Sequence, residues 1–130
     1  MFGSILIRYQ NNCETKENHQ DESLKTHYYK GTFRQIFESV ENILRQDSKY
    51  QINHVSKEHG EFSVQIKNRN NQFLIITLIA IKPLEVAVDL HISTEGFSLF
   101  GVHPQLKNEI IDFYKKLSKS TPFIGTGRSI

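Results

Sequence analysis

A single cysteine, Cys13, stands in this chain of 130 residues. It excludes an internal disulfide framework and any cysteine-rich zinc module. A reducing compartment suits such a chain, and a cytoplasmic location is expected. Long apolar runs are missing as well. The longest, Phe73 to Ile81, is interrupted by Thr77 and falls well short of the roughly eighteen residues a spanning helix needs. No membrane partner is expected. Charge of one sign is also lacking: sixteen basic against fourteen acidic residues leave +2, too even to attract a polyanion by itself. No nucleic acid is predicted as partner. The partly apolar start, Met1 to Tyr9, followed by Cys13 and a polar stretch, superficially suits a lipoprotein. Its apolar part is too short for a signal segment, Arg8 interrupts it, and Asn12 occupies the place where a small residue is required. Internal repeats and low-complexity blocks are absent, and no cofactor is expected.

With 38% apolar and 23% charged residues, the chain has an ordinary globular composition and the length of one domain, residues 1–130. Phe2 to Arg8 reads as a short N-terminal strand, residues 11–22 as a polar arm or loop, and Leu24 to Tyr29 as a strand ended by Gly31. Phe33, Ile36, Phe37, Val40, Ile43 and Leu44 recur at helical spacing, with Thr32 and Gln35 forming a capping box, so a helix is expected from Thr32 to near Gln46. The period then drops to two. Tyr50 and Ile52, then Phe62, Val64 and Ile66, then Phe73 to Ile81, then Val86, Val88, Leu90 and Ile92 read as four strands of an antiparallel meander. Pro104 opens a second helix with Leu106, Ile110, Phe113, Tyr114 and Leu117 on its apolar stripe and Ile111 on the flank. Residues 118–130, with Pro122, Gly125 and Gly127, read as an irregular tail. The expected fold class is α+β: an antiparallel β-meander of about four strands, plus the N-terminal strand, with two amphipathic helices packed on one face.

One strand is too apolar for that plan. Phe73 to Ile81 is apolar on both sides, Phe73, Ile75, Ile79 and Ile81 on one and Leu74, Ile76 and Leu78 on the other. With the first set against the helices, the second is left over. Exposing three large aliphatic side chains would forfeit roughly 1.5 to 3 kcal/mol each and leave an adhesive patch. The segment Ile5 to Ile7, the tail Phe123 to Ile130, a second copy of the protein or a ligand is expected to cover Leu74, Ile76 and Leu78.

Chemistry-bearing motifs are sparse. Asp89 and His91 are two apart on one strand and so share a face, an arrangement open to an acid and base pair or to two solvated side chains. Cys13 and His19, with His27, offer soft donors to a metal, but at a spacing that matches no known site, so the thiol is taken as incidental and no metal is expected. Gly96 to Gly101 resembles a nucleophile elbow around Ser98, with its second glycine one place too far. Gly125 to Arg128 lacks the following helix N-terminus that phosphate cradles use. Lys67, Arg69, Lys82, Lys115, Lys116 and Lys119 form a basic rim without the exposed aromatic platform that single strands require. Phe97 and Phe100 remain, as candidates for the mouth of an apolar pocket or for packing on the sheet edge.

The order of Leu24-Lys-Thr-His-Tyr-Tyr29, the first helix, Gly60-Glu61-Phe62, Val86-Ala-Val-Asp89 and Phe113-Tyr-Lys-Lys-Leu117 resembles small cytosolic proteins of unknown function from Bacillus-like bacteria. The likeness runs from about Cys13 to Gly127. It implies a fold and an intracellular setting, and brings no activity, substrate or catalytic residue. Three functional classes follow in order. The first is a non-enzymatic binding or protein-interaction module, with a homodimer or an unidentified protein partner. The second is a carrier or sensor of a small apolar ligand in a helix-sheet pocket, and the third an enzyme using Asp89 and His91. The interface or ligand candidates are Leu74, Ile76, Leu78, Asp89, His91, Phe97 and Phe100, and no catalytic residue is assigned.

Overall fold

In the computed structural model, residues 12–67, 72–94 and 103–127 are described. In chain order they form β1 (Asn12–Glu14), a 3-10 turn (Glu22–Leu24), β2 (His27–Lys30), α1 (Phe33–Gln46), β3 (Tyr50–Ser56), β4 (Glu61–Ile66), β5 (Gln72–Lys82), β6 (Glu85–Thr94), α2 (His103–Ser120) and β7 (Phe123–Thr126). The strands make one seven-stranded sheet in the order β3-β4-β5-β6-β2-β7, with β1 also beside β6, and every pairing between named strands is antiparallel. The class is α+β as expected, and four strands is an undercount. The expected strand at Phe2 to Arg8, with Ile5 to Ile7, lies outside the described residues, as do Ser98, Phe97, Phe100, Arg69 and Arg128.

The local signals at α1 act as their chemistry requires. Thr32 Oγ1 accepts from Gln35 N at 3.1 Å and Gln35 Oε1 accepts from Thr32 N at 2.9 Å, so two backbone donors at the helix start are satisfied reciprocally. Ile36, Phe37, Val40 and Leu44 are buried on its inner face. From α2, Leu106, Ile110, Phe113, Tyr114 and Leu117 join the same core cluster. Lys49 Nζ bonds Glu109 and Asp112, and Lys116 Nζ bonds Asp47 and Asp112, all at 2.8 to 2.9 Å. This network ties the end of α1 and the start of β3 to α2. Gly60 marks the turn between β3 and β4. Its φ is +66° and an added Cβ would stand 2.5 Å from the Leu78 carbonyl oxygen, so no other residue fits without displacing backbone.

The assignment of faces on β5 is corrected. Leu74 pairs with Ile92, Ile76 with Leu90 and Leu78 with Val88. Directly opposed residues in an antiparallel pair point to the same side, so the apolar face of β6 takes Leu74, Ile76 and Leu78 with it into the core, where each is at most 2% exposed. The set left outside is Phe73, Ile75, Thr77, Ile79 and Ile81, with Ile75 37%, Ile79 51% and Ile81 44% exposed. The expected covers of Leu74, Ile76 and Leu78 are therefore replaced by the two helices.

Two segments read as irregular carry strands. Within the polar arm, Asn12–Glu14 pairs with β6 through Cys13 opposite Ile92, and Cys13 is buried. In the tail, Phe123–Thr126 pairs with β2, while residues 118 to 120 complete α2. The glycines and Pro122 that suggest irregularity stand at the strand's start, at its bulge and after its end. Both strands owe their existence to an edge supplied by a distant segment.

Candidate functional site

β1 and β2 share one edge of β6: β1 pairs along Ile92 and its neighbours, β2 along Glu85 to Val88. The chain between them, from Thr15 to Thr26, leaves the sheet and is drawn back at its base. Thr15 Oγ1 and Thr26 Oγ1 each donate to Asp89 Oδ1 at 2.6 Å, and Thr15 Oγ1 accepts from Leu90 N at 3.0 Å. The Asp89 carboxylate thus closes the gap between two strands that use the same edge. His91 is half-buried on the same face and lines a shallow 220 Å³ hollow with Glu14, Thr15, Thr77 and Asp89. A carboxylate already taking two short hydroxyl bonds is a clamp, which accounts for Asp89 without catalysis.

The looped-out segment builds something else. Its 3-10 turn stands beside α2, and Asp21 holds the turn by accepting from Ser23 N at 3.0 Å and Ser23 Oγ at 2.6 Å. Between this turn, α2 and the β2–β7 edge lies a cleft of about 390 Å³. Ser23 comes from the turn, His27 from β2 and Phe123 from β7. Ile111, Tyr114, Lys115, Ser118 and Lys119 come from α2. Those five recur at three- and four-residue steps, one stripe of a helix, which meets the stripe buried in the core at Tyr114. Carbon dominates the walls.

A fixed polar array underlies the cleft. The His27 ring stacks on Tyr114 with centroids 3.5 Å apart, and the Phe123 ring stands 4.9 Å from that of His27. The Tyr29 hydroxyl bridges His27 Nδ1 at 3.1 Å and Ser118 Oγ at 3.0 Å, while Tyr114 Oη donates to the Val88 carbonyl at 2.7 Å. Burial lowers the His27 pKa to about 4 and raises those of Tyr29 and Tyr114. At neutral pH all three rings are uncharged, and the walls stay apolar in character.

No family model matches this chain, and no curated protein does. Among solved structures it is similar to a conserved protein from Geobacillus kaustophilus. That likeness has 14% identity and a TM-score of 0.48, covering 75% of this chain and 95% of the other.

Of the candidates named from sequence, Leu74, Ile76 and Leu78 lie together in the core, Asp89 and His91 lie together on the opposite face, and neither group touches the cleft. Burial pushes the Cys13 thiol up to about 11. His19 Nδ1 is occupied as acceptor from Asp21 N, and no cluster of three or more metal-ligating side chains occurs among the described residues. Sequence reasoning missed Tyr29 and Ser118, and placed His27 only as a third metal donor. The available signal was Ile111 on the flank of the second helix with Ser118 two turns on, a second stripe beside the core stripe. No described helix is long and apolar enough to cross a membrane.

Proposed function

We propose that this protein is a binding module whose cleft between α2 and the β2–β7 edge takes a small, largely apolar molecule. The observation that carries the proposal is the cleft itself, about 390 Å³ and walled mainly by carbon, within the range of roughly 300–1,000 Å³ typical of small-molecule sites. The ring and hydroxyl groups of His27, Tyr29, Ser118 and Tyr114 are already fixed by internal bonds, which suits orienting a ligand more than transforming it. Although Ser118, Tyr29 and His27 form a chain, a general base works best with a pKa near the working pH. His27 at about 4 and a Tyr29 held above its ordinary value both sit far from it. The test is fluorescence titration with the neutral apolar dye 1-aminoanthracene. Saturable one-to-one enhancement is expected, and Ile111→Trp, which fills the cleft from a half-buried helical position, is expected to abolish it without changing the melting temperature. No enhancement, or equal enhancement in the variant, counts against the proposal.

A second reading is favoured by the outer face of β5. β4 accompanies β5 only as far as Thr77, so Ile79–Lys82 has β6 on one side and no strand on the other among the described residues. Open backbone beside exposed Ile79 and Ile81 is a template for strand addition, and a second copy adding its own β5 antiparallel across a twofold axis satisfies both. Sedimentation of wild type and Ile79→Lys tests it: a dimer that the substitution dissociates supports it, and a monomer at high concentration removes it.

A further inference from the structure

We infer that the ligand of the cleft carries one anionic group, of the carboxylate type, and that Lys115 and Lys119 are its charge partners. The inference rests on the cleft reading above and deepens it. α2 carries four lysines. Lys107 pairs with Asp21 at 2.6 Å and Lys116 with Asp47 and Asp112 at 2.8 and 2.9 Å. Lys115 and Lys119 have no carboxylate within 4 Å among the described residues, and both line the cleft. Four residues apart, they stand on one helix face, where like charges repel, so an anion seated between them relieves a cost that the free protein carries. Lys119 stands in the last turn of α2, where the carbonyl end of a helix favours cations.

The acidic groups of the 3-10 turn that borders the cleft are already engaged. Asp21 is held by Lys107, and Glu22 by Lys25 at 2.9 Å and by the Thr126 hydroxyl at 3.0 Å. The positive rim is therefore uncompensated, and an apolar wall behind it strengthens any charge pair formed there relative to open water. The lining holds no arginine and no helix N-terminus, the usual partners of phosphate. Two point charges at the lip of a carbon-walled hollow suit the head and body of an apolar acid.

Calorimetric titration of the full chain with decanoate and with decanol at neutral pH separates the possibilities. Decanoate is expected to bind at least about tenfold tighter than decanol. The Lys115→Gln/Lys119→Gln double variant is expected to narrow that ratio to about twofold, chiefly by weakening decanoate. Both lysines are exposed or at the rim and make no internal ion pair, so the fold survives the change. Equal affinity for the two probes, or a preference the double variant retains, overturns the inference and leaves the cleft reading standing. Binding of neither probe overturns both.

Discussion

The imidazole of His27 lies flat on the ring of Tyr114, with planes within 6° and centroids 3.5 Å apart. The contact joins the sheet edge to the last helix and forms the floor of the cleft. Its energetic signature is a histidine that resists protonation, because a charged ring would lose its water without gaining a carboxylate.

That resistance predicts a pH dependence. The folded chain protonates His27 only near pH 4, whereas the ordinary value is 6.5. Between these values the unfolded chain holds more protons, so stability falls as the pH drops from about 6.5 to about 4 and is flat with respect to this group above that window. Urea unfolding at about pH 7 and about pH 5 should show the loss in wild type and a smaller loss in His27→Phe. Equal slopes in the two proteins would refute the assignment.

Asp89 and His91 should behave as unequal neighbours. Asp89→Ala strands two threonine hydroxyls and opens the shared strand edge, at a cost of about 1–3 kcal/mol, whereas His91→Ala should stay within about 0.5 kcal/mol. A double variant in urea unfolding should give the sum within about 0.5 kcal/mol. A large coupling energy would point instead to a paired role.

The corrected face of β5 is checked by a pair of substitutions. Ile76→Ala empties a fully buried site and should cost about 2–5 kcal/mol, while Ile79→Ser, on the outer face, should change stability by less than about 0.5 kcal/mol. Chemical denaturation measures both. The reverse order would restore the face assignment expected from sequence. Ile76→Asp, the natural probe of an exposed patch, should simply unfold the protein.

Cys13 should be inert while the chain is folded. Its thiol is buried and holds its proton up to about pH 11 instead of 9.0, so a disulfide reagent at neutral pH should label it only as fast as the protein opens. Above pH 9 the unfolded chain loses that proton first, and stability should decline from there toward about pH 11. Rapid labelling of native protein would contradict the burial of Cys13.

Much of the framework was legible from periodicity. The capping box at Thr32 and Gln35, the alternation from Phe62 to Ile66, and Pro104 near the second helix's start each depend on residues close in sequence. β1 and β7 were not legible, because each is made a strand by an edge that another part of the chain supplies. The face of β5 was ambiguous because both phases are apolar. The hint was Thr77, the one polar residue in the run, which belongs with the outer set and pairs with Asp89. The cleft was the least legible feature, since His27, Ile111, Ser118 and Phe123 come together only after β2 and β7 pair beneath α2.

The central claim is that the cleft against α2, and not the outer face of β5, receives the ligand. Amide chemical-shift mapping during titration with decanoate tests it most directly. Shifts concentrated at Ser23, His27, Ile111, Ser118 and Phe123 are predicted. Shifts centred on Ile75, Thr77 and Ile79, or none at saturating probe, would contradict it.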